Sequence, residues 1–127
     1  MKVLALIFSL LLLGGCAGGL SIDRQHPSAN HDSRVQWVVV HYTSTDVQHS
    51  LELLTRGGVS SHYLIGEAPA TIYQLVDENR RAWHAGDSPW RGRTWLNAST
   101  LGIELVNQGY ADTPAGRVWQ PYSEAQI

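Results

Sequence analysis

A single carboxylate, Glu104, interrupts the apolar run Leu101-Gly102-Ile103-Glu104-Leu105-Val106, and a second apolar run, Trp37-Val38-Val39-Val40, ends on His41-Tyr42. Removing a carboxylate from water is costly unless it is paired, protonated or used. Glu104 therefore suits a reaction or a metal site, with an ion pair to Arg80, Arg81 or Arg93 as the structural alternative. Three histidines, His41, His62 and His84, could join it, with Tyr42, Trp83 and Asn107 nearby. A neutral imidazole can ligate zinc or simply hydrogen-bond. His41 stands at a strand end, where binding sites gather, but position alone leaves both roles open. His62, mid-strand in Ser61-His62-Tyr63-Leu64, suits a satisfied, partly buried histidine. His84 opens a glycine-containing loop beside Trp83, which fits either a polar ligand against an aromatic face or a structural turn.

These side chains need elements to position them. Residues 35–42 are apolar and β-branched enough for a strand in a sheet covered on both faces. Thr45 with Gln48 has capping-box spacing, and Val47, Leu51 and Leu54 follow at helical spacing until Gly57-Gly58. Residues 60–65 and 71–76 read as a hairpin around Gly66 and Pro69. Residues 82–86 look like a strand end entering a loop over 87–99, and 100–107 form the strand that carries Glu104. Residues 108–120, with Gly109, Pro114 and Gly116, read as a loop. Ser123 with Gln126 is again a helix-start spacing, and the chain stops within that first turn. Helix nucleation is costly and must be repaid by propagation. The expectation is therefore a fragment of a longer protein.

The first residues read differently. Lys2 precedes an apolar stretch over residues 3–13, too short for a bilayer span of about 20 residues but proportioned like a signal-peptide core. Leu13-Gly14-Gly15-Cys16 resembles the lipobox of bacterial lipoproteins. This implies a signal peptide over 1–15, lipid attachment at Cys16 and a polar tether over 16–34. Cys16 is the only cysteine, so no intrachain disulfide can form. Ala17 after it matches the outer-membrane sorting pattern, which implies a cell-envelope lipoprotein facing the periplasm and held to the membrane through its lipid. A formal net charge of -2 in 127 residues gives no basis for nucleic-acid binding.

Taken in order, Val38-Val39-Val40-His41-Tyr42-Thr43, Ser60-Ser61-His62-Tyr63-Leu64-Ile65, Trp83-His84-Ala85-Gly86 and Leu101-Gly102-Ile103-Glu104-Leu105-Val106-Asn107 resemble the type 2 N-acetylmuramoyl-L-alanine amidases. These are relatives of the animal peptidoglycan recognition proteins. The resemblance covers residues 35–127, read as an incomplete N-terminal part of the domain. It implies an α/β (α+β) fold, a mixed central sheet flanked by helices, with the C-terminal part missing. It further implies a monomer that takes one Zn2+ and hydrolyses the amide between N-acetylmuramic acid and L-alanine in peptidoglycan or muropeptides. Carried over by motif, His41 resembles the first zinc ligand and Glu104 the carboxylate that activates water. Tyr42, His84 and Asn107 match positions near the substrate groove. The family's remaining zinc ligands and its lysine come from a segment with no counterpart here, so this chain alone is expected to be inactive. The competing class is a non-catalytic peptidoglycan-binding lipoprotein, against which the retained Glu104 argues.

Overall fold

The computed structural model describes residues 22–127. The expected signal peptide and the lipid-attachment residue Cys16 lie outside the described residues. Residues 22–31 belong to one contact unit and are exposed, without helix or strand. The second unit begins at Asp32 and holds every regular element among the described residues. Among the described residues, no helix is long and apolar enough to cross a membrane.

The elements run β1 (Trp37–Tyr42), α1 (Val47–Arg56), β2 (Tyr63–Ile65), β3 (Ile72–Gln74), a 3-10 turn over Leu96–Ala98, β4 (Thr100–Leu105), β5 (Tyr110–Thr113) and β6 (Gly116–Trp119). Four strands form a mixed sheet in the order β1-β4-β2-β3. Both neighbours of β4 run parallel to it, and β2–β3 is an antiparallel hairpin. Among the described residues, the last two strands pair only with each other.

Helix α1 crosses from β1 towards β2 and buries Leu54 against Leu64 and Val106, with Val47, Leu51, Tyr73 and Leu75 packed around them. The 47/51/54 spacing thus faces the sheet, as helical periodicity requires. Asp46, rather than Thr45, caps the helix: its Oδ1 accepts the His49 N–H at 2.9 Å. Thr45 instead forms a bridge with Asn107, so the cap moves one residue along. At the other end the Gly57 N–H donates to the Leu53 carbonyl at 2.9 Å.

β1 is an edge strand whose side chains alternate between half-buried and exposed. Val38 and Val40 are 54% and 59% exposed, so the face of this strand opposite His41 is largely open over these two valines and not covered as fully as the other. A uniform run of valines carries no alternation from which this could be read.

Residues 108–120 are not a simple loop. They hold the β5–β6 hairpin, closed by the Thr113–Gly116 pair, with Gly116 at φ 118. Its residues are exposed throughout, so no apolar alternation marked it. Residues 82–86 form no strand. They are held by Ser60, whose Oγ accepts the Trp83 N–H at 2.9 Å. The Ser123–Gln126 spacing does act as half of a capping box, with Gln126 Oε1 accepting the Ser123 N–H at 3.1 Å. The same glutamine donates to the Val106 carbonyl at 2.8 Å and ties this segment to the end of β4.

Candidate active site

The register of β1 against β4 pairs His41 with Glu104. Side chains in register on adjacent parallel strands leave the sheet on the same face, with the strands about 4.8 Å apart. Thr100 and Gly102 share that face of β4 by alternation, and Leu64 flanks Glu104 from β2. Helix α1 packs on this side through Leu64 and Val106. The sheet therefore delivers the imidazole and the carboxylate side by side beneath a helix.

Glu104 is half-buried and lines a cleft of about 380 Å³ with Tyr42, Thr43, Ser50 and Leu54. Burial raises its pKa above the ordinary carboxylate value. Among the described residues no ion pair involves it. Arg81 stacks over Trp83 at 4.6 Å and Arg93 over Trp37 at 5.6 Å, so neither neutralises it. The ion-pair alternative for Glu104 is not what the structure shows.

His41 reaches a second histidine. Its Nε2 lies 3.1 Å from His84 Nδ1, with the rings edge to face at 5.4 Å. On its far side, His84 Nε2 lies 3.1 Å from Thr100 Oγ1. The His84 ring rests directly on Gly102, where any Cβ would collide with it. Asn97 Oδ1 fixes the turn behind the ring by accepting the His84 and Ala85 N–H groups at 3.1 and 2.8 Å. Burial lowers the pKa of His41. Burial, and then the neighbouring His41 and His62, bring His84 down to about 4. Both rings are thus neutral at physiological pH.

The other residues singled out from the sequence divide. His62 is fully buried and satisfied: its Nδ1 accepts the Gly102 N–H at 2.9 Å and its Nε2–H donates to the Arg80 carbonyl at 3.2 Å. It braces β4 and does not open to the cleft. Tyr42 points to the face of β1 opposite His41 and packs edge-on against Trp119 at 6.0 Å. Asn107 is buried, its Nδ2 donating to the Gln120 carbonyl at 3.2 Å and its Oδ1 accepting the Gly109 N–H at 2.8 Å. His84 also lines a second, open groove with Trp83, Asp87, Trp95 and Asn97, and Val59 borders both this groove and the Glu104 cleft.

Sequence reasoning passed over Thr100, Gly102, Asn97 and Arg34. A glycine inside an apolar strand is a signal of close approach, and Gly102 carried it. Arg34 lies just before β1 and donates to the carbonyls of Ala98 at 3.2 Å, Arg80 at 2.7 Å, and Glu78. It thereby staples the strand entrance to both loops that flank the site. Nothing local marks such an arginine, because its partners are main-chain atoms far along the chain.

A catalytic zinc takes three protein ligands and keeps one open position. Among the described residues, no group of three His, Cys, Asp or Glu side chains is placed to hold a metal ion. His41 offers one ring nitrogen, and both nitrogens of His84 face partners within the chain. These residues by themselves do not fit a zinc site.

A family model described as N-acetylmuramoyl-L-alanine amidase matches residues 31–127. The chain is 40% identical to the N-acetylmuramoyl-L-alanine amidase AmiD of Escherichia coli over 96% of this chain and 49% of that protein. It superposes on AmiD in complex with anhydro-N-acetylmuramic acid-L-Ala-D-gamma-Glu-L-Lys with a TM-score of 0.74 at 39% identity, covering 86% of this chain and 45% of that one. AmpDH3 of Pseudomonas aeruginosa, in complex with anhydromuramic pentapeptide, gives a TM-score of 0.69 at 36% identity, over 84% of this chain and 47% of its own. The chain thus spans about half the length of AmiD.

Proposed function

The chain belongs to the N-acetylmuramoyl-L-alanine amidase family, and from that membership we propose that the whole protein hydrolyses the amide joining N-acetylmuramic acid to L-alanine in peptidoglycan or its muropeptide fragments. The muropeptide ligands of AmiD and AmpDH3 support this substrate class. The observation that carries the reading is Glu104, half-buried and without a cationic partner among the described residues, in register with His41.

Glu104 serves as the general base. A raised pKa makes a carboxylate a stronger base towards a water proton. Water attacks the lactyl carbonyl carbon as Glu104 takes one of its protons. The C–N bond then breaks, and Glu104 passes that proton to the departing alanine nitrogen. The products are a lactyl carboxylate and a free stem peptide. His84 and the groove beside Trp83 lie on the substrate side, and Tyr42 borders the Glu104 cleft.

The resemblance to type 2 amidases implies zinc, and His41 is the ligand we assign to this chain. The described residues do not complete that site, so the proton path above runs through Glu104 alone. The 127-residue chain should accordingly lose zinc on dialysis and show no turnover. Stoichiometric zinc retained after dialysis would count against this assignment.

The function itself is tested in the whole protein. Glu104→Ala should lower release of free stem peptides from sacculi or anhydromuropeptides by about 10²–10⁴-fold, the usual worth of general acid–base help, while leaving the metal content unchanged. Release near the wild-type rate would sink the role given to Glu104. Sedimentation of the wild-type protein with sacculi, with no peptide released, would instead favour a non-catalytic binding lipoprotein.

A further inference from the structure

Two side chains fasten the same pair of segments. One segment, residues 78–85, carries Trp83 and His84 along the wall of the open groove, and the other is the 3-10 turn Leu96–Ala98. Asn97 makes the first tie, its Oδ1 accepting the His84 and Ala85 N–H groups at 3.1 and 2.8 Å. Arg34 makes the second. Its Nη1 donates to the Ala98 carbonyl at 3.2 Å, and its Nη2 donates to the Arg80 carbonyl at 2.7 Å and to the Glu78 carbonyl.

Together the two ties close a ring. It runs from Arg34 to Arg80, along the chain through Trp83 to His84, across to Asn97, and through Ala98 back to Arg34. A single tie leaves a pivot, whereas a second tie further along the segment removes it. Ser60 also holds Trp83, through a main-chain bond of 3.0 Å and a side-chain bond of 2.9 Å, but it refers the wall to the entrance of β2 and not to the turn. Without Arg34, Asn97 alone would set the wall against the turn. Among the described residues no carboxylate pairs with Arg34, so its fork is given over to carbonyls. A lysine ammonium lacks that planar fork and cannot span carbonyls on two segments in the same way.

We propose that Arg34 is a positioning residue for the groove: with Asn97 it sets the spacing between the Trp83–His84 wall and the 3-10 turn, and so the grip on a muropeptide. The inference rests on the reading of this groove as the substrate side. Glu104 is held separately, by the register of β4 with β1 and β2. Loss of Arg34 should therefore be felt in substrate binding and not in the chemical step.

The test uses the whole protein, with muropeptide hydrolysis and amide hydrogen exchange as independent readouts. Arg34→Lys and Arg34→Ala should raise KM by about tenfold, the worth of a hydrogen bond or two, with kcat within about twofold of wild type. Loss of folded protein would do the reverse, lowering apparent kcat and leaving KM alone. Exchange at the His84 and Ala85 amides should quicken in both variants. Guanidinium ion at millimolar concentration should restore KM and slow exchange in Arg34→Ala, by filling the vacated fork. A merely destabilised fold can only be weakened by that ion, so the direction of its effect separates positioning from stability. Unchanged KM, or an Arg34→Ala defect that guanidinium deepens, overturns the proposal. Should the alanine variant fail to fold, KM and exchange in Arg34→Lys still decide. Wild-type protein that releases no stem peptide would sink the amidase reading. The exchange rates would still show whether Arg34 holds the wall, and unchanged rates overturn that as well.

Discussion

Glu104 imposes a standing cost on the fold that hosts it. Its folded-state pKa lies above the ordinary carboxylate value because burial disfavours the charge. The folded chain therefore holds that proton more tightly than the unfolded chain. The associated stability is fully present below the unfolded pKa of about 4.3 and is lost as pH rises through the folded pKa. Glu104→Gln does not titrate. In metal-free chain its unfolding midpoint in urea should gain on wild type as pH rises from about 4 and level off once Glu104 is ionised. A difference independent of pH would show that the carboxylate is better solvated than its position in the cleft requires. Glu104 was legible because a charge inside an apolar run is conspicuous. His41 and His84 were legible as candidates, but their direct contact was not, since they stand 43 residues apart.

Among the elements, the core is small and rests on few side chains. Leu64 is fully buried at the meeting point of α1, β2 and the end of β4. Leu64→Ala should cost about 2–5 kcal/mol, the range for large-to-small changes in a packed core. Equilibrium unfolding with an unchanged m-value would check it, and a loss under about 1 kcal/mol would mean the core is looser than its burial shows. Helix α1 and the strands β1, β2 and β4 were readable from the sequence because each pairs a periodic or continuous apolar run with a stop signal. The β5–β6 hairpin was not, because both strands are exposed and the apolar alternation that betrays a strand never arises. The helix cap slipped by one residue for a related reason. Thr45 and Asp46 are both good caps, and the choice between them is made by the bridge from Thr45 to Asn107, a contact across the fold.

For the molecule as a whole, the leader, the tether and the sheet domain make separate claims. We propose that the protein sits in the cell envelope, anchored through Cys16 and facing the periplasm. Cys16→Ala should abolish incorporation of labelled palmitate and move the protein from the membrane to the soluble fraction, because stable anchoring needs more than one acyl chain. Persistence in the membrane fraction would point to another means of attachment. Among the described residues β1 ends the sheet, and Val38 and Val40 stand more than half exposed on its outer face. Unpaired edge backbone beside bare valines can template the same strand of a neighbouring molecule. Raising the concentration of this chain should then promote edge-to-edge association, seen as scattering that grows with concentration and falls when Val38 and Val40 are replaced by lysine.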